Sequence, residues 1–221
     1  MRIAFDFLKE PIRFSDSEIN VLCIENKVLF RKIINAFIEN SLQEANIVFS
    51  KEFKPIDFKK NGCFIYDYYH FDFSSSFIKK TYDDISDFCN NELQDDVALF
   101  RTYFESLFDK IINEYDYDFQ YNYDFSLQLF FKACELKPAN KTNSLLENLT
   151  QYILLLKKYV KINFFVLVNL HLYFSSDEIM EFYKTLYYNH IYTLVLENEF
   201  NFSKLNNEKI TIVDNDLCEI I

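Results

Sequence analysis

The chain contains one glycine, three prolines and no tryptophan among its 221 residues. A phosphate cradle between a strand and a helix needs glycine, because the backbone must approach the phosphates in conformations that other residues resist. The turn where such a cradle would sit reads Ile24-Glu25-Asn26-Lys27-Val28, and Glu25 would repel a phosphate. Gly62 lies elsewhere, between a lysine-rich stretch and an apolar run. A P-loop and a dinucleotide fingerprint both fail on this ground. The apolar run Ile162–Val168 ends in Asn169, where a metal-binding P-loop enzyme would place aspartate. There is no GxSxG motif, and His70, His171 and His190 are scattered. No catalytic residue is therefore expected.

Other absences narrow the setting. Cys23, Cys63, Cys89, Cys134 and Cys218 are odd in number and include no CxxC pair. That excludes a zinc ribbon and argues against a disulfide framework. Met1–Leu8 is broken by Arg2 and Asp6, so a signal-peptide core is not expected. The longest apolar stretch, Phe164–Phe174, is interrupted by Asn169 and His171 and is too short and too polar to span a bilayer. These features predict a reduced, cytoplasmic protein with no membrane partner.

What the chain has in plenty is phenylalanine and tyrosine, 26 and 16 residues, and half of it is apolar. Aromatics at this density are ordinary core filling. The net charge of −11 argues against broad nucleic-acid binding, which needs a basic surface. The charge is uneven, however. Residues 92–124 hold Glu92, Asp95, Asp96, Glu105, Asp109, Glu114, Asp116, Asp118 and Asp124 against Arg101 and Lys110. Lysines gather instead at Lys51, Lys54, Lys59 and Lys60, and again at Lys132, Lys137, Lys141, Lys157, Lys158 and Lys161. An acidic protein can still bind an anion if folding or assembly gathers such lysines in one place.

Hydrophobic periodicity gives an α/β organisation. Arg2–Phe7, Ile19–Ile24, Ala45–Ser50 and Cys63–Asp67 read as strands around an amphipathic helix carrying Val28, Phe30, Ile33, Ile34, Phe37 and Ile38. Lys51–Lys60 between them reads as a loop or edge hairpin. Helical periods follow over Ser74–Asn90, Leu93–Glu114, Phe125–Glu135 and Ser144–Tyr159, with a tyrosine-rich acidic break at Tyr115–Asp124. Strands return at Ile162–Val168, Ile191–Leu196 and Lys209–Val213, and Ser175-x-x-Glu178 is a capping box opening a helix between the first two. Strand, helix and strand make a βαβ unit with a parallel sheet. The predicted architecture is an α/β domain of residues 1–73 and 161–221 with a helical domain, 74–160, inserted between them.

Two clusters could hold chemistry. Asp67-x-x-His70-x-Asp72 is the nearest approach to a metal or nuclease site, but such a grouping before a serine run is more often a cap and turn. Glu114, Asp116, Asp118 and Asp124 offer hard oxygen ligands suited to Ca²⁺, or else form a solvated loop with Asp124 as a helix cap. An EF-hand is excluded, since counting from Asp116 puts Tyr121 at the sixth position and Leu127 at the twelfth.

Taken together, several stretches resemble the small protein family of type II-A CRISPR loci that assists spacer acquisition. They are Phe7-Leu8-Lys9-Glu10-Pro11-Ile12, Val28-Leu29-Phe30-Arg31-Lys32-Ile33-Ile34, Phe71-Asp72-Phe73-Ser74-Ser75-Ser76 and Glu114-Tyr115-Asp116-Tyr117-Asp118. Phe164-Phe165-Val166-Leu167-Val168-Asn169 through Ser176-Asp177-Glu178, and the later Leu194-Val195-Leu196-Glu197, complete a collinear set. The glycines common after that family's first strand are absent. The resemblance implies a degenerate P-loop-like head with a mainly parallel sheet, an inserted α-helical leg, and a homotetrameric ring on double-stranded DNA ends without sequence preference. It implies Ca²⁺ held by Glu114, Asp116, Asp118 and Asp124, and DNA-facing Lys51, Lys54, Lys132 and Lys137. It further implies the CRISPR integrase and RNA-guided effector nuclease as partners, and no enzymatic activity. A ring also resolves the charge conflict, because symmetry repeats a few lysines around a hole while the carboxylates lie elsewhere. A divergent nucleotide-binding enzyme and an acidic protein–protein scaffold are the alternatives.

Overall fold

A computed structural model of the chain describes residues 1–15, 17–52, 54–117, 119–120, 126–139 and 143–220. It is a mixed α/β protein in two compact units, Met1–Phe71 with Lys141–Ile221, and Asp72–Asn140.

The first unit carries two sheets. A small antiparallel sheet contains β1 (Arg2–Ala4), β2 (Ile12–Arg13), β4 (Val48–Lys51) and β5 (Lys54–Pro55), in the order β2-β1-β4-β5. The larger sheet contains β3 (Ile19–Ile24), β6 (Gly62–Ile65), β7 (Phe164–Val168), β8 (Tyr192–Glu197), β9 (Glu208–Val213) and β10 (Glu219–Ile220). Its order is β10-β9-β3-β8-β7-β6, with all neighbours parallel except the β9–β10 pair. Every residue of β3 and of β7 is buried, as in a parallel sheet covered on both faces.

Alternation along the strands sorts the core. Leu22, Ile24, Phe164, Val166, Leu194, Leu196 and Val213 join one cluster with Ile33 and Phe37 of helix α1 (Lys27–Ile38) and with Ile3 and Phe49 of the small sheet. The aromatic surplus is spent here. Phe37 stacks on Phe64 with ring centroids 4.9 Å apart, and Phe49 meets Phe164 edge-on at 5.0 Å. Val21, Cys23, Phe165, Leu167 and Val195 have the opposite parity and are also buried. Helix α6 (Leu145–Leu155), which runs on into a π-helical turn over Leu156–Val160, packs against helix α8 (Ser176–Tyr188). The capping box expected at Ser175 and Glu178 opens α8. Periodicity placed the helix at 144–159 with the inserted segment, yet α6 lies in the unit that holds the sheet. Its Leu149 and Ile153 are completely buried there.

The single glycine answers to packing. Helix α2 (Phe58–Asn61) leads directly into β6, and a Cβ on Gly62 would collide with the Phe58 ring, itself part of the core cluster. The backbone at Gly62 is extended, so a side chain is excluded by space and not by conformation.

The second unit is helical, with α3 (Ser75–Glu92), α4 (Gln94–Asn113) and α5 (Leu127–Ala133). Ser74 caps α3 by accepting the Phe77 amide. Phe77, Tyr82 and Ser86 form the buried line of α3, and Tyr82 meets Phe131 of α5 at 5.9 Å. Gln128 Nε2 donates to Asp83 Oδ1 over 2.7 Å. Helix α4 buries no residue completely, and Leu99, Tyr103, Leu107 and Ile111, four residues apart, are exposed.

Gly62→Ala is expected to cost about 1–3 kcal/mol by overpacking against Phe58. Equilibrium unfolding in urea measures it, and Gly62→Ala combined with Phe58→Leu should recover part of the loss.

Candidate nucleic-acid interface

The turn after β3 is the natural ligand position of such a sheet, and here its donors are already used. Asn26 Oδ1 accepts from the amides of Val28 and Leu29 at 3.1 and 3.0 Å. Its Nδ2 donates to the Asn215 carbonyl at 2.8 Å. These first-turn amides would otherwise meet an anion. At the end of β7, Asn169 adopts a left-handed conformation, and its Oδ1 accepts from the Asn198 amide at 3.2 Å. Both strand-end asparagines therefore tie loops together.

A buried charge network lies on the sheet face of opposite parity to the aromatic cluster. His171, in the short helix α7 (Leu170–Tyr173), is hydrogen-bonded through Nδ1 to Glu197 Oε1 at 2.7 Å and through Nε2 to Glu208 Oε1 at 2.8 Å. Tyr183 of α8 donates to the same Glu208 oxygen at 2.8 Å, and the Leu205 amide donates to its Oε2 at 2.9 Å. The Phe202 ring stacks on the imidazole at 3.7 Å. Burial pulls the His171 pKa down, but its hydrogen bonds and charge attraction to both carboxylates outweigh burial and push it up to about 9. The imidazolium is held on both nitrogens and covered by a ring, so the network joins α7, α8, β8 and β9 and offers no reactive atom to a ligand.

The lysine-rich segment forms the edge of the small sheet. Lys51 of β4 stands directly opposite Lys54 of β5, joined by a tight turn in which Glu52 takes a positive φ of 50°. Asp57 caps α2 by accepting the Lys59 amide at 3.0 Å, which places Lys59 and Lys60 beside the hairpin in sequence and leaves them exposed. Lys51, Lys54, Lys59 and Lys60 enter no ion pair among the described residues.

The family model for CRISPR-associated protein (Cas_Csn2) matches residues 39–217. The chain belongs to that family. No curated protein matches it. The match runs from the end of α1 to just beyond β9 and takes in the lysine hairpin, the second unit and the buried network of this Cas_Csn2 protein, but not β1, β2, β3 or α1.

The residues expected to act in this Cas_Csn2 chain fall in separate places. Lys51 and Lys54 are brought together as a cross-strand pair in the first unit. Lys132, in the last turn of α5, and Lys137 are exposed in the second unit. Glu114 closes α4, and Asp116 follows it in the exposed segment beyond. Asp118 and Asp124 lie outside the described residues. Among the described residues no group of three His, Cys, Asp or Glu side chains is placed to share a metal ion. Asp67 accepts from the Tyr69 amide and pairs with His70, and these contacts hold its carboxyl below the usual range. That is a local turn, and the helix that follows is capped by Ser74. No helix among the described residues is long and apolar enough to cross a membrane.

The partners of His171 were not foreseen from the sequence because they sit just past the expected strands. Those were drawn as Ile191–Leu196 and Lys209–Val213, each one residue short of a glutamate. Extended by one, period two places Glu197 and Glu208 on a buried face, where a carboxylate needs a partner. Because the folded pKa of His171 lies above its ordinary value, the stability it contributes is complete below pH 6.5 and lost as pH rises through about 9. Urea unfolding should show a decline on the order of 3 kcal/mol across that window. In His171→Gln the baseline stability should be lower and the decline absent.

Proposed function

We propose that this protein is a non-catalytic factor that binds double-stranded DNA ends without sequence preference and assists spacer acquisition in a type II-A CRISPR system. Membership of the family supplies the CRISPR-associated role. The observation that carries the DNA reading is the Lys51–Lys54 pair. Two lysines directly opposite each other repel, and in a chain of net charge −11 a carboxylate partner would be the easy alternative. A polyanion offsets that repulsion. The closed turn at Asn26 supports a binding role over a nucleotide-dependent one and favours reading the sheet-bearing unit as a degenerate P-loop-like head, with the helical unit as its leg.

Assembly into a homotetrameric ring would multiply the few lysines around one hole, with Lys132 and Lys137 of the leg adding to Lys51 and Lys54. The exposed apolar residues of α4 support self-association, since contiguous apolar surface of this kind marks interfaces. Glu114 and Asp116 have the oxygen chemistry that calcium prefers, and calcium takes six to eight oxygens. Asp118, Asp124, backbone carbonyls and water would complete the set. When bound, the ion would neutralise the acidic segment after α4. The integrase and the RNA-guided effector nuclease are the expected partners in the acquisition complex.

A ring threads onto free ends, so linear duplex should shift in a native gel and a small covalently closed circle should not. Chelation should abolish the shift and lower the mass seen by native mass spectrometry from tetramer to a smaller species. Lys51→Glu with Lys54→Glu removes up to eight phosphate contacts from a tetramer and should reduce the slope of log affinity against log salt by up to about seven. Equal binding of linear DNA and circles contradicts the ring, and micromolar ATP binding would favour a nucleotide enzyme.

A further inference from the structure

Helix α4 carries apolar side chains on two sides. Val97, Phe104, Phe108 and Ile112 lie on one side and are half-buried. On the other, at about 100° per residue, Asp96, Leu99, Tyr103, Leu107 and Lys110 fall within about 40° of a single line along the helix. All of these are exposed, Tyr103 to 69%. Phe100, on the flank of this face, meets Phe130 of α5 at 5.2 Å. A helix serving only its own unit needs one apolar stripe, so the second is left for a partner.

The order of residues on that face identifies the partner. Leu99 and Leu107 stand at equal distances either side of Tyr103, and Asp96 and Lys110 stand at equal distances beyond them. Two copies crossing antiparallel at Tyr103 therefore set Leu99 of each against Leu107 of the other, and Phe100 against the small Ser106. Asp96 of each then meets Lys110 of the other, at both ends of the apolar stretch. A parallel pair would instead set Asp96 against Asp96 and Lys110 against Lys110. Neither side chain enters an ion pair among the described residues. Arg101 lies on the far side of the helix, so Lys110 is the one cation that this face offers. An acid in the first turn and a cation in the last also suit the helix dipole, but that role sets no distance from Tyr103. Spacings of three and four along Asp96, Leu99, Tyr103, Ser106 and Lys110 suit a shallow crossing of about 20°, which keeps both ends of the pair in reach.

We propose that α4 pairs antiparallel with α4 of a second copy of this chain, with Tyr103 on the two-fold axis and Asp96 of each copy against Lys110 of the other. Such a contact is isologous, the same patch serving both copies. Tyrosine at the centre of an interface is a residue type that carries much of the binding energy. The inference rests on the self-association reading above and deepens it by naming the contact, its direction and its register.

The test uses the full-length chain with calcium, its mass followed by native mass spectrometry over a dilution series. Tyr103→Glu sets two carboxylates together on the axis and should lower the mass to half or less where the wild type is fully assembled. Because Tyr103 is exposed, far-ultraviolet circular dichroism should be unchanged. Asp96→Lys and Lys110→Asp should each raise the concentration of half-assembly about 3- to 10-fold, since both ends of the contact become repulsive. The two variants mixed should assemble with each other at close to the wild-type concentration, because every position 96 then faces a position 110 of opposite charge. Wild-type assembly in all three variants overturns the inference and leaves the ring to other contacts. Weakening in Asp96→Lys and Lys110→Asp that mixing does not relieve also overturns it, since α4 would then meet a different surface. A wild-type chain that stays monomeric removes the ring and this inference together.

Discussion

Strand β3 is buried along its whole length between β8 and β9, and its two side-chain faces commit the first unit to two different cores. On one face Leu22 and Ile24 join the phenylalanine cluster that holds α1 and the small sheet. On the other, Val21 and Cys23 lie in the sheet face that also carries Glu197 and Glu208. Burial drives the Cys23 thiol up to about 12, so this cysteine behaves as a small apolar side chain. With β3 fixed this way, the turn at Ile24–Val28 has a fixed place, and whatever residues stand there decide what the sheet can bind.

Those residues close the turn. Asn26 takes the amides that a phosphate would need and ties the chain end through Asn215. On the opposite face, the His171 network places charge under α8 but fills every position around the ring. Both of the usual ligand-binding resources of an open α/β sheet are thereby spent on cohesion. Among the exposed cations, Lys51 and Lys54 stand directly opposite each other on the small antiparallel sheet. The same phenylalanine cluster that packs Ile3, Ile12 and Phe49 inward turns Arg2 and Arg13 outward.

Much of this was legible in the residues. The apolar run at 19–24, the helix after Asn26, the run at 162–168 and the capping box at Ser175 each satisfy one local rule, and the structure keeps them. The Lys51–Lys60 stretch, read as a loop or edge hairpin, is a hairpin followed by a short helix. What failed to show depends on register and on partners distant in sequence. Arg2 and Arg13 are eleven positions apart with Pro11 between them, and no periodicity states that they pair. The His171 network joins positions 171, 183, 197 and 208, each unremarkable alone. The helix at 145–155 was recognisable as a helix, but an apolar stripe does not state which core receives it. Of the acidic segment, the sequence states composition, and Asp118 and Asp124 lie outside the described residues.

The nucleotide position at Ile24–Val28 is closed, and we propose that DNA is met at the Lys51–Lys54 hairpin. Amide hydrogen exchange of the full-length chain, with and without saturating linear duplex in calcium, tests it in one experiment. Added protection is expected over residues 48–60, with no change at 24–29. Protection centred on 24–29, or none over 48–60 under conditions where DNA is bound, would contradict it.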